Sequence, residues 1–501
     1  MESRGARGAL SRGRPFLAAV AVMALVLAVA AAGATPGRRT GVVTAAQGSA
    51  GSASLADATP GGDGGPAGPA TPGGATQAAA SASGSGSPTA AGPAGPSSGA
   101  GGSTRAGAIY DQGVTDSTIT IGGSTFTSGP AAVYGQQIAV GFAAGIAYIN
   151  DHGGINGRKV VLKIYDDGAD PAKQLANTKR LVEVDKVFAL SMVYAAGVGP
   201  YVAQQRIPVF HLGQFDDEFT NPWWFPVGGP QSFAAMSLAN FGARKLNAKS
   251  VAIFYIDAGT GAYSKAFADQ DASYWKAYGV KVPVEEAFSP TQTSCSDAIS
   301  AASAAKVDFI DFEIDASKVI NCGVQAQVQG YKPPKSWGGY LIGVPVIWQA
   351  LGDESIGMYA FDAFGALYNF PDYQAYVHKV SSSTDTNSSV TASYFYSALL
   401  MRDAIAKLGN NITRQRLADV LNTFSNWQPG VTTDPNQPNW TWRPQCHVAL
   451  KGGYVIQIHK HSDGSLAWDQ ITPQFASTPL PPGVGVPAQF SGCTSAFSPT
   501  S

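Results

Sequence analysis

Thr118-Ile119-Thr120-Ile121-Gly122-Gly123-Ser124-Thr125-Phe126-Thr127-Ser128-Gly129-Pro130 opens the stretch, running on to Met192, whose reading decides the fold. Its first four residues predict an apolar strand. From Gly135 onward, Ile138, Phe142, Ile146 and Ile149 recur at the spacing of one helix face. Asp151-His152-Gly153-Gly154-Ile155-Asn156-Gly157 breaks that helix, and Val160-Val161-Leu162-Lys163-Ile164-Tyr165 predicts a second strand. Asp170-Pro171 supplies an N-cap followed by proline at the first helical position. A helix with Leu175, Leu181 and Val182 then leads to a third strand over 187–192. Strand, helix, strand, helix, strand predicts a parallel sheet with crossover helices. Such a sheet carries its working loops at the carboxyl ends of its strands, here 125–135, 166–170 and 192–197.

Outward from this unit, composition narrows the class. The chain has 501 residues, and its 33 basic residues against 34 acidic ones give a formal charge of -1, which offers nothing to a nucleic-acid backbone. Arg4, Arg7, Arg12 and Arg14 precede an apolar run over 16–32, and Ala32-Gly33-Ala34 is a small-residue cleavage site. Residues 1–34 are therefore expected to be a signal peptide, or an N-terminal anchor if left uncleaved. Residues 35–106 are Gly, Ala, Pro, Ser and Thr with little else, a disordered linker with a reach of roughly 45–50 Å. Gly95-Pro96-Ser97-Ser98-Gly99 matches a nucleophile elbow by spacing only, without the strand and helix the elbow needs. No cysteine precedes Cys295, so no lipidated cysteine is expected. Four cysteines in an exported chain are expected to pair, in any of three ways. Cys295–Cys322 with Cys446–Cys493 is preferred, since each pair is close in sequence.

The alternation continues to the end of the chain. Helices are expected over 197–205, 231–246, 295–305, 316–329, 390–408 and 414–424, the last behind Thr413 as cap. Strands are expected over 207–212, 249–256, 280–287, 307–314, 336–340, 357–364, 447–450 and 453–459. Two alternating units and a return segment outline an α/β protein of two lobes around a cleft. The expected division is 107–229 with 358–445 as lobe 1, 230–357 with 446–472 as lobe 2 and hinge return, and 473–501 as a C-terminal tail.

Ser128-Gly129-Pro130 with Tyr134-Gly135, Gly141, Ala147-Tyr148-Ile149-Asn150, Gly153-Gly154-Ile155-Asn156-Gly157, Tyr165-Asp166-Asp167 and Asp170-Pro171 together resemble the leucine/isoleucine/valine-binding branch of ABC-transporter solute-binding proteins. Ala176-Asn177, Gln205-Arg206-Ile207-Pro208-Val209 and Gln329-Gly330-Tyr331 extend the likeness over roughly 118–469. The resemblance implies a type I periplasmic-binding-protein fold, two Rossmann-like lobes with three hinge crossings. It implies an extracellular or cell-envelope receptor, monomeric, handing a small solute (an amino acid, or an amino-acid-like or aromatic compound) to ABC permease and ATPase subunits. A ligand-binding sensor module is the alternative use of the same fold.

The resemblance also places the ligand loops. In lobe 1 they hold Ser128 and Tyr134, then Val193-Tyr194-Ala195, then Gly213-Gln214-Phe215. In lobe 2 they hold Tyr263, the end of the strand at Asp315, and Tyr340. The chain departs from the family pattern in two ways: Phe215 stands where a hydroxyl residue is usual, and Leu341 where an acid meets the ligand's ammonium. Asp315 or Glu313 is the expected substitute, because a buried ammonium needs a partner. Catalytic residues, cofactor and metal are not expected. Gly259-Thr260-Gly261 lacks the third glycine of a dinucleotide fingerprint, with Ser264 in its place. His447, His459 and His461 fit an ordinary strand better than a zinc site.

Overall fold

The computed structural model describes residues 106–497, apart from 130–131, 214, 259–263, 432–438, 451–452 and 473–479. The opening stretch forms β1 (Thr118–Thr125), α1 (Ala132–Asp151), β2 (Lys159–Asp166), α2 (Pro171–Glu183) and β3 (Ala189–Ser191). Asp170 caps α2, its carboxylate accepting the N–H groups of Ala172 and Lys173 at 2.8 and 3.2 Å. With α3 (Ala195–Gln205), β4 (Val209–His211) and β5 (Trp224–Pro226), these strands make a wholly parallel sheet in the order β2-β1-β3-β4-β5. β5 falls where the sequence suggested only a loop. It is three residues long and ends in proline, which an edge strand tolerates.

The second sheet has seven strands: β6 (Ser250–Ile256), β7 (Lys281–Phe288), β8 (Phe309–Glu313), β9 (Ser336–Gly339), β10 (Tyr359–Asp362), β11 (Tyr454–Lys460) and β12 (Leu466–Gln470). Their order is β12-β11-β10-β9-β8-β6-β7; β11 runs antiparallel to β10 and to β12, so β12 points the same way as the parallel strands. Helices α4 (Gln231–Arg244), α5 (Lys265–Ala277), α6 (Ser296–Ala304), α7 (Ala316–Gln329) and α8 (Pro345–Leu351) belong to this lobe. The chain then returns to lobe 1 as α9 (Pro371–Val380), α10 (Ser389–Ala406) and α11 (Arg414–Leu421). There α10 crosses α1 closely: a Cβ on Gly141 would stand 2.3 Å from the Thr391 carbonyl oxygen. Only glycine permits that approach.

Three segments cross between lobes: 227–230, 363–370 and the stretch before Tyr454. The second crossing corrects the expected return at 358, because β10 pairs with β9 and β11 inside the second sheet. Its start is fixed by buried Asp362, which accepts the N–H groups of Phe364 and Gly365 at 2.9 Å each and the Tyr368 hydroxyl at 2.8 Å. The first crossing is clasped by two indoles. Trp440 Nε1 donates to Val227 O at 2.6 Å, and Trp442 Nε1 to Pro226 O at 3.2 Å. The strand expected over 447–450 is reduced to an isolated bridge between Leu450 and Trp440.

Cys295 pairs with Cys322, tying the start of α6 to α7, and Cys446 pairs with Cys493. The latter bond, as expected, ties the C-terminal tail of 473–501 to lobe 2 through Cys493. Residues Ala488–Ala496 form 3-10 turns, and Phe490, Cys493 and Phe497 are buried in the lobe 2 core against Phe233.

Candidate functional site

The strand order of lobe 1 reverses between β1 and β3, so the crevice at their carboxyl ends is where a ligand of this sheet would sit. The β1 loop is held from below by the acid pair after β2. Asp166 accepts the backbone N–H and hydroxyl of Ser128, and Asp167 accepts the Ser124 hydroxyl at 2.8 Å and the Gln174 amide at 3.3 Å. Burial raises both carboxyls. For Asp166 the Ser128 and Gly168 hydrogen bonds outweigh it and leave the group below its ordinary value, whereas Asp167 stays above. Ser128 is thus a fixed loop residue, and Tyr134 lies half-buried in the first turn of α1 against the lobe 1 core.

Tyr194 is the centre of the wall. It caps α3, with its N–H 3.4 Å from Gln174 Oε1, directly after buried Val193 and before Ala195, the first helical residue. Its ring lies 5.1 Å from His211, 6.0 Å from Phe126 and 6.1 Å from Phe215, centroid to centroid. Tyr394 of α10 closes the cluster from behind, 5.7 Å from His211. His211 is fully buried, and burial pushes its pKa down to about 3, so the ring is neutral at neutral pH. The Gly213 N–H donates to its Nδ1 at 2.7 Å, which assigns the ring proton to Nε2. Among the described residues, that Nε2 has no hydrogen-bond partner. Glu218 lies 3.5 Å from the same Nδ1 but takes the Phe215 N–H at 3.2 Å, so this contact is not an ion pair with a neutral ring.

Lobe 2 reaches this wall through Tyr340, whose hydroxyl donates toward Gly213 O at 3.3 Å and Gly229 O at 3.4 Å. Gly213, φ +79°, has room for no side chain, since a Cβ would stand 2.4 Å from Pro226. A cavity of about 20 Å³ lies beside this contact, lined by Leu212, Gly229, Tyr340, Phe364 and Val390 among others. A hollow of about 390 Å³ near Asp111, Arg206 and Arg414 is larger but sits at the amino ends of the strands, where Arg414 is spent on Val187 O and Phe188 O. It is not the cleft.

The structure brings Tyr194, Gly213, Phe215 and Tyr340 together. Gln214, Tyr263 and the Gly259-Thr260-Gly261 motif lie outside the described residues. The two acids expected to meet an ammonium are engaged elsewhere. Asp315 caps α7 and pairs with Lys318 Nζ at 2.7 Å. Glu313 is buried and bonded to the Gln231 amide. His211 and Tyr394 were missed by sequence reasoning, since one lies inside an apolar strand and the other among core positions of a helix. The histidines set aside earlier have partners too: His459 and His461 meet Asp469 at 2.9 and 3.2 Å, while His447 is buried near Trp224 and Asn422.

Two Rossmann-like lobes, three crossings and a cleft at the carboxyl ends of both sheets define the type I periplasmic-binding fold. The periplasmic binding protein family model matches residues 118–464, and the chain belongs to that family. It is 24% identical over 234 residues to Leu/Ile/Val-binding protein homolog 7 of Brucella suis biovar 1 (strain 1330), covering 42% of this chain and 57% of that protein. The chain thus spans little more than half the length of this curated relative. Its fold is shared with a fatty acid ABC transporter substrate-binding protein from Thermomonospora curvata, at TM-score 0.62 and 19% identity over 76% of this chain and 98% of that one. It is shared equally with an ABC-transporter solute-binding protein from R. palustris in complex with 4-hydroxybenzoate, at TM-score 0.61 and 18% identity over 72% and 98%.

Proposed function

We propose that this protein is the exported solute receptor of an ABC importer and that its solute is an aromatic or otherwise apolar carboxylic acid without an ammonium group. The observation that carries the reading is the Tyr194–His211–Phe215 wall with its neutral, unpartnered Nε2–H. Rings offer area to an apolar body, and a buried neutral donor suits an oxyanion without the cost of a second buried charge. The first turn of α3, opening at Ala195, adds the N-terminal helix end that favours a carboxylate. An α-amino acid is disfavoured because Asp315 is spent on Lys318 and its helix cap, and Glu313 is buried behind the Gln231 amide. Relatives and fold neighbours named for branched-chain amino acids, a fatty acid and 4-hydroxybenzoate support the class of cargo and leave the choice to the wall. Ser128, Tyr134 and Tyr263 belong to the rim in this reading, and the permease and ATPase are the partners. Residues 1–34 direct export.

A thermal-shift screen of the full chain tests it. Aromatic acids at a hundred times their dissociation constant stabilise by about 2.7 kcal/mol, while isoleucine leaves the midpoint unmoved. Stabilisation by isoleucine alone overturns the reading.

A further inference from the structure

Lobe 2 buries three acids against one another. Asp271 lies on the inner face of α5, in the same buried stripe as Phe267, Ala268 and Trp275, and Asp311 and Glu313 alternate along β8. One carboxylate oxygen from each lies within 4.8 Å of the others. Among the described residues, no lysine, arginine or histidine forms an ion pair with any of them. Asp311 takes the Trp275 indole N–H at 2.9 Å, and Glu313 takes the Gln231 amide N–H. Among the described residues, both oxygens of Asp271, Oδ1 of Asp311 and Oε1 of Glu313 are buried without a hydrogen-bond partner.

A second observation comes from a residue that is not an acid. Gln231, the first residue of α4, is 3% exposed and is directed into the cluster by its bond to Glu313, yet its own carbonyl Oε1 has no partner. The three acids bring one oxygen each to a common point, with no nitrogen or sulfur among them, a hard donor set against which the Gln231 carboxamide is packed.

We infer that Asp271, Asp311, Glu313 and Gln231 form a buried binding site for a hard divalent cation, calcium in preference to magnesium. Magnesium keeps several of its waters, whereas calcium accepts a shell made largely of protein oxygens. A dry site built of carboxylates and a carboxamide suits the latter. Asp216 adds negative potential from the flank, which favours a cation further. The alternative is that the carboxyls retain protons, because burial raises all three. The ion would tie the start of α4, just beyond the first crossing, to the lobe 2 sheet.

The test uses the full chain, stripped with a chelator and then freed of it. Millimolar calcium raises the thermal midpoint by roughly 3–5 °C at neutral pH, and magnesium raises it less. Asp271→Asn, which relieves repulsion and so folds, loses the calcium shift. Terbium bound at the site luminesces through Trp275 and is displaced by calcium; Trp275→Phe dims the luminescence and keeps the calcium shift. No shift in the parent protein, or an equal shift in Asp271→Asn, overturns the site. In the first case a higher midpoint for untreated Asp271→Asn identifies the cluster as proton-held acids.

Discussion

The two lobes meet one cleft with opposite chemistry. Lobe 1 ends β3 and β4 in rings and neutral donors, with His211 kept uncharged by burial beside Tyr194 and Phe215. Lobe 2 ends β8 in acids, yet Glu313 and Asp311 are tucked under α4 and α5 and Asp315 is consumed as a helix cap. Both sheets obey the same topology rule for where a ligand sits. The difference teaches that burial and local pairing, more than position at a strand end, decide which charges a solute can meet.

The largest expected effect probes the acidic side. In chelator-stripped protein the folded Asp311 carboxyl, raised to about 7 by burial, holds its proton at pH values where the unfolded chain has lost it. The folded state then binds more protons, so stability falls as pH rises from about 4 to about 7. Denaturant melts across that range measure the slope, and Asp311→Asn makes it shallower without abolishing it, because burial also raises Asp271 and Glu313. Next comes the loss of the staples. Replacing Cys446 and Cys493, 47 apart in sequence, by serine destabilises by about 4 kcal/mol, and replacing Cys295 and Cys322, 27 apart, by about 3.5 kcal/mol. Urea melts that show under 1 kcal/mol for either pair contradict this account of lobe 2. On the aromatic side, Tyr194→Ala lowers solute affinity ten- to hundredfold, about 1.4–2.8 kcal/mol, with little change in the melting midpoint. An unchanged affinity puts the cleft wall elsewhere. The smallest effect is Asp170→Ala, which costs about 1 kcal/mol by uncapping α2 and leaves binding intact.

Much of the fold was legible because it is local. The period of Ile138, Phe142, Ile146 and Ile149 and the Asp170-Pro171 cap each declare an element within one or two turns, and α7 begins and ends where its pattern predicted, at Ala316–Gln329. Short elements were lost: β5 has three residues, and α8 and α9 each begin at a proline that reads as a loop signal. The return to lobe 1 was placed a strand too early because β10 is apolar enough for either sheet, and only its neighbours β9 and β11 assign it. The site was half legible. Tyr194, Phe215 and Tyr340 follow from loop position, whereas the pairing of His211 with Tyr394 joins residues distant in sequence. Asp311 and Glu313 showed their alternation, but their burial depends on Asp271 and Gln231 from two separate helices.

The most direct measurement is a calorimetric titration of the full chain with 4-hydroxybenzoate and with isoleucine, at about pH 5.5 and about pH 7.5. A neutral His211 donor predicts that the aromatic acid binds with the same affinity at both pH values and that isoleucine gives no heat. Tight binding of isoleucine without the aromatic acid, or an aromatic-acid affinity that climbs steeply as the pH falls, contradicts a neutral aromatic wall.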